Sequence, residues 1–178
     1  MEYEVVGDPD EGPTLELDWR EFAYAGKFVM SNTGKAVARE DGEVVAAVAF
    51  NADRTDGDVW WLRYVTVREG RKGEGVGPRL CAFTAAALLD GRAERVRIAV
   101  NNPFAYHALH KAGFGWTGRE TGIAELVLER PAPADAAASY GEGLVRYLDR
   151  DLSDAEEAFV EERRDRGPPA RVDVDEAA

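Results

Sequence analysis

One cysteine, two histidines and only four lysines in 178 residues narrow the available chemistry. With Cys81 alone, no internal disulfide can form and a zinc site of the CxxC type is excluded, so no metal site is expected. No run approaches the roughly 18 apolar residues of a membrane-spanning helix. The N-terminal MEYEVVGDPDEG is acidic and lacks the layout of a signal peptide. These absences read as a soluble, cytoplasmic protein with no membrane partner. Basic residues number 22 against 34 acidic ones, for a formal charge of −12. Nucleic-acid binding in general is thereby excluded, because phosphate contacts need a basic face. Scarce lysine beside abundant Asp, Glu and Ala is the composition of a halophilic cytoplasm, where screening over about 3 Å at molar salt removes self-repulsion. An ordinary acidic protein from a GC-rich genome gives the same composition.

What is present is enough for a core: 45% of residues are hydrophobic. EYEVV reads as a first strand, and LELDWREFAYAGKF as one or two short helices. KAVARE and EVVAAVAF flank Asp41-Gly42, a strong hairpin signal. The β-branched and aromatic run Val59 to Glu69 reads as a central strand, so residues 35–69 form an antiparallel meander. PRLCAFTAAALLD follows as a buried helix, with Pro78 in its first turn and Gly91 past its end. RVRIAV is a strand, FAYHALHKA a short helix stopped by Gly113, and GIAELVLER a last strand. A strand–helix–strand unit at this spacing implies a parallel crossover. The predicted class is therefore α+β (mixed α/β): a central, mostly antiparallel sheet with one parallel pair, flanked by helices. The domain is placed at 1–130. PAPADAAAS reads as a linker into an acidic helical extension, 131–178, in which Ser153 and Glu156 form a capping-box pattern. The final GPPARVDVDEAA is expected to be mobile.

Between the central strand and the buried helix lies RKGEGVGPRL, with three glycines and three cations in ten residues. From Arg63 to Arg79 five cations face two anions, in a chain of opposite charge. Glycine lets successive N–H groups approach an anion, and the following helix adds its positive end, so the loop suits a phosphate. The P-loop pattern GxxxxGK[ST] is absent. A dinucleotide fingerprint fits poorly, since the next strand ends in Asn101-Asn102 rather than an acid.

Lys72-Gly73-Glu74-Gly75-Val76-Gly77 resembles the (Arg/Gln)-x-x-Gly-x-(Gly/Ala) signature of the GCN5-related N-acetyltransferases (GNAT). Asn102, Ala105, Lys111, Gly113 and Phe114 fall on the spacing of that family's second signature. The resemblance covers roughly residues 35–130. It implies a splayed parallel strand pair and acetyl-CoA as donor, with the loop amides on its pyrophosphate. The donor-binding residues it implies are Arg71, Lys72, Gly73, Gly75 and Gly77, with Val65 and Val67 offering main-chain partners and Asn102 a hydrogen bond to the cofactor arm. It also implies direct transfer of acetyl to a primary amine of a small molecule or protein, and many members are dimers, so a homodimer is carried as an expectation.

The pattern departs from the family at one catalytic position. The usual thiolate acid, a Tyr seven residues after the Asn, is Leu109 here. Tyr106, three residues earlier on the same helix face, is the candidate substitute, and packing is its other reading. His107 and His110 are read as solvent-facing, and Cys81 as core. Strict alternation places Trp61, Arg63, Val65 and Val67 on one face with no carboxylate among them. Arg63 is read either as the partner of an acid elsewhere or as the anchor for an acceptor bearing a carboxylate or phosphate. The missing Tyr and the extra C-terminal segment also allow a non-catalytic acyl-CoA-binding or regulatory module.

Overall fold

The computed structural model describes residues 1–172, which fall into two units, Met1–Val96 and Arg97–Val172. In the first, β1 (Glu2–Gly7), β2 (Gly34–Glu40), β3 (Glu43–Ala52) and β4 (Val59–Val67) run antiparallel, each to the next. The β2–β3 turn is made by Asp41 and Gly42, both left-handed (φ 52° and 82°), as a two-residue hairpin requires. Helix α1 (Val76–Leu89) packs on this meander through Leu80, Cys81, Thr84, Ala85 and Leu88, a stripe at helical spacing. It begins two residues before Pro78, because Gly75 takes the left-handed N-cap position.

Residues 13–33 do not form the expected helices. Only Ala25–Lys27 makes a 3-10 turn. The segment folds back as a strap, with the Leu15 amide donating to the Phe28 carbonyl at 2.8 Å and Tyr24 left-handed at φ 60°. This places Phe28 and Leu15 over Val37, Ala47 and Ala49, and burying Phe28 completely is worth about 2–3 kcal/mol.

In the second unit, β5 (Arg95–Val100), which begins with the last two residues of the first unit, β6 (Gly115–Glu120) and β7 (Leu126–Arg130) are ordered β5-β7-β6, with β6 and β7 antiparallel. Helix α2 (Pro103–Lys111) is capped by Asn102 and ended by Gly113 at φ 91°. Helix α3 (Ala136–Val145) packs on β6, and α4 (Asp154–Arg163) on α2. Ser153 and Glu156 make the expected capping box. Residues 131–172 thus contribute two helices to this unit. The linker is shorter than its composition suggests, since its alanines join α3. Strand β6 has no sequence signal, because Gly115 and Gly118 interrupt GWTGRE and its pairing with β7 is irregular after Trp116. Residues 173–178, within the tail expected to be mobile, lie outside the described residues.

Among the described residues the class is the mixed α/β one expected, with seven strands, one parallel strand pair and flanking helices. Among the described residues no helix is long and apolar enough to cross a membrane.

Lys35 on β2 fixes the strap. Its side chain is wholly buried, and Nζ donates to the carbonyls of Pro13 (2.7 Å), Met30 (2.7 Å) and Thr33 (2.8 Å) and to Thr33 Oγ1 (2.8 Å). A buried ammonium is tolerated only when its protons are satisfied. Lys35→Met keeps the stem and leaves three carbonyls without their donor. We expect a loss of about 2–4 kcal/mol, read as a lower urea midpoint.

Candidate active site

Register across β3 and β4 shows where each strand residue faces. Val48 opposes Val65 and Ala49 opposes Tyr64, but Phe50 opposes Leu62 and Asn51 opposes Trp61. Arg63 is therefore an extra residue, a β-bulge that inverts the alternation. Val65 and Val67 share the face of Val48 and Ala46, toward α1, where a Cβ on Gly77 would meet Val67 at 3.2 Å. Trp61 and Tyr64 share the opposite face with Ala47 and Ala49, under the strap. Arg63 joins them, donating from Nε to Asn51 Oδ1 at 2.7 Å and lying over the Trp61 ring. The single face expected from strict alternation is corrected to two.

Beyond β4, Gly73 and Gly75 are left-handed (φ 84° and 81°), and the chain turns directly into α1. Apart from the turn over Lys72 and Gly73, the amides of residues 72–77 make no backbone hydrogen bond among the described residues. They stand free at the positive end of a 14-residue helix. Two of the cations around them are held by carboxylates and the third by a main-chain carbonyl. Arg71 bridges Glu40 and Glu74, with its Nε 2.8 Å from the latter. Lys72 pairs with Glu69 at 2.9 Å, and Arg79 Nη1 donates to the Glu74 carbonyl at 3.2 Å. The hydrogen bond from Arg71 lowers the Glu40 pKa. Seven predicted donor-binding residues, Val65, Val67, Arg71, Lys72, Gly73, Gly75 and Gly77, thus lie on one strand–loop–helix segment.

Asn102 and Tyr106 belong to the second unit. Asn102 Oδ1 caps α2, accepting from the Ala105 amide at 2.9 Å, and Nδ2 donates to Asn101 Oδ1 at 3.2 Å. Tyr106 is fully buried, and its hydroxyl donates to the Tyr140 carbonyl at 2.9 Å. Burial raises its pKa far above the ordinary phenol value. Both histidines expected at the surface are buried beside it. His110 Nδ1 faces the Tyr106 carbonyl at 2.7 Å; only the nitrogen can donate, so Nδ1 carries a proton, and burial lowers the pKa of the ring. His107 Nδ1 and Tyr140 Oη are hydrogen-bonded at 2.6 Å. Cys81 is buried in α1, its thiol pushed up to about 12 by desolvation.

The sequence profile of the acetyltransferase (GNAT) family matches residues 2–114. The chain belongs to that family. It is an acyltransferase, and acetyl-CoA is its donor. A search of curated proteins gives no match. Among solved structures, nourseothricin acetyltransferase is similar over 74% of this chain and 98% of its own, at 18% identity and a TM-score of 0.52. Ribosomal-protein-alanine N-acetyltransferase from Brucella melitensis is similar over 55% and 68%, at 17% identity and 0.48. A GNAT acetyltransferase from Elizabethkingia anophelis with acetyl-CoA bound is similar over 55% and 74%, at 15% identity and 0.46. At that identity the first of these speaks for a shared fold alone.

Sequence reasoning about this GNAT chain missed the carboxylates on the loop cations and the Asn51 that holds Arg63. Glu74, inside the loop motif itself, is a visible signal of the first. Asn51 has none, since its pairing arises from strand register.

The buried histidines make the second unit acid-sensitive. Burial, then the nearby Lys111 and Arg163, hold His107 at about 4, against 6.5 for the free side chain. As pH falls the unfolded chain takes up that proton first, so the stability at stake is full above about 6.5 and is lost as pH approaches 4. The loss over that window is on the order of 1–3 kcal/mol. In thermal melts at stepped pH, His107→Gln should show a shallower decline than the parent chain.

Proposed function

We propose that this protein transfers the acetyl group of acetyl-CoA directly to a primary amine on a small molecule or protein. The observation carrying this reading is the free amide row of residues 72–77 at the N-terminus of α1, closed in by Arg71, Lys72 and Arg79. Gly75 supplies the left-handed turn, and Gly77 the close approach of helix to strand. Such a cradle fits a pyrophosphate. When bound, acetyl-CoA supplies a thioester activated toward amines. The chain's contribution is to hold the two reactants together, which removes much of the bimolecular entropy cost. Main-chain groups of Val65 and Val67 are the proposed guides for the donor arm.

Direct transfer is supported by the state of Cys81, which is buried and carries its proton throughout the neutral range. Its thiolate is not available as a covalent relay. We assign Tyr106 to packing, because its hydroxyl already donates inward to a main-chain carbonyl. The cytoplasmic, high-salt setting drawn from composition belongs to the same reading. A donor-binding module without turnover is the other reading of the missing Tyr on α2; the family match speaks against it, and release of free thiol with any amine in a panel tests it.

Two variants test the cradle. Lys72 pairs with Glu69 at an exposed position, where such pairs contribute at most about 1 kcal/mol. Lys72→Glu should therefore weaken acetyl-CoA binding in calorimetry at least tenfold and leave the melting temperature nearly unchanged. Equal losses of both, or no binding by the parent chain at millimolar acetyl-CoA in suitable salt, would sink the reading. Glu74→Gln releases Arg71 from one of its two carboxylates. It should tighten acetyl-CoA binding several-fold.

A further inference from the structure

Arg63 is held in place without being neutralised. Its Nε is tied to Asn51 Oδ1 at 2.7 Å, and Asn51 in turn donates from Nδ2 to the Asn32 carbonyl in the strap at 3.5 Å. Among the described residues no carboxylate forms an ion pair with it. Asp53 is nearby, but its Oδ1 accepts from the Trp61 indole at 2.8 Å and its Oδ2 from the amides of Thr55 and Asp56 and the Thr55 hydroxyl. Those bonds, the indole first, lower its pKa to about 2, so it stays ionised and occupied. With Nε engaged, the guanidinium presents its two Nη groups, the fork that matches a carboxylate.

The surroundings define what the fork receives. Arg63 is exposed and lies over the Trp61 ring, 5.2 Å from its centroid. Tyr64, next in sequence and on the same face, packs its ring against Tyr24, and Lys27 Nζ sits over it at 5.6 Å. Arg63, Lys27 and the nearby Arg54 outnumber the committed Asp53, so the aromatic shelf is net positive. The two Nη groups beside an indole ring suit a planar carboxylate on an apolar body. Arg63 is two residues from Val65 along β4, about 7 Å.

We propose that Arg63 binds the carboxylate of the acetyl acceptor, so that the acceptors are amines that also carry a carboxylate on an apolar or aromatic body. The proposal rests on the acetyl-transfer reading above.

Three matched probes test it: phenylalanine, phenylalaninamide and 2-phenylethylamine, each assayed for thiol release. The wild-type chain should prefer phenylalanine by tenfold or more in kcat/KM. Arg63→Gln should abolish that preference through KM, with kcat and acetyl-CoA binding unchanged, and Arg63→Lys should restore part of it. Equal use of the three by the wild-type chain, or a preference that survives in Arg63→Gln, overturns the proposal. Calorimetric titration of phenylalanine without donor reads the anion site independently of turnover. A tenfold weaker signal in Arg63→Gln supports the assignment, and equal binding by both chains overturns it. A wild-type chain that binds phenylalanine through Arg63 yet fails to bind acetyl-CoA would refute the acetyl-transfer reading and spare the anion site.

Discussion

A single extra residue in β4 organises this protein. Side chains in a strand alternate strictly, and one inserted position exchanges the two faces for everything beyond it. Because the insertion falls at Arg63, Leu62, Val65 and Val67 share the face toward α1, while Trp61, Arg63 and Tyr64 stand on the other. Packing against α1 and the aromatic, cationic shelf thus come from neighbouring residues without competing for the same surface. A regular strand would have put Arg63 beside the valines, against the helix, where a guanidinium would need a partner that α1 does not offer.

The second organising element is how an acidic chain keeps a place for an anion. Backbone amides carry the polarity that the net charge denies it: they are fixed, unaffected by pH and only weakly countered by distant carboxylates. The side-chain cations around them are already engaged, Arg71 with Glu40 and Glu74, and Lys72 with Glu69. A pyrophosphate bound as proposed would exchange one set of anions for another. At molar salt such surface pairs are weak, and the exchange costs little.

Features set by local chemistry were legible in the sequence. Asp41-Gly42 dictated its hairpin, Ser153 and Glu156 their capping box, and the glycine spacing the turn into α1. Features set by register or long-range burial were not. The run WWLRYVTV is apolar at both parities, so alternation cannot show where the bulge lies. LELDWREFAYAGKF reads as one or two short helices, whereas the carbonyls gathered on Lys35 decide the path of the strap. His107 and His110 are polar by composition, and α3, which buries them through Tyr140, falls where alanines suggested a linker. The glycine turn into α1 was thus readable, while the pairing of Arg63 with Asn51 was not.

Lys35 has a consequence for an enzyme that works on amines in the presence of an activated thioester. A primary amine reacts only through its lone pair. At Lys35 the nitrogen is sealed from solvent with every proton shared among four oxygens. Of the four lysines in the chain, this one is chemically silent toward the protein's own donor. Where other surfaces carry lysine, this one carries mostly arginine, whose guanidinium has no free lone pair at any ordinary pH. The protein handles acetyl groups with little of itself exposed to being acetylated.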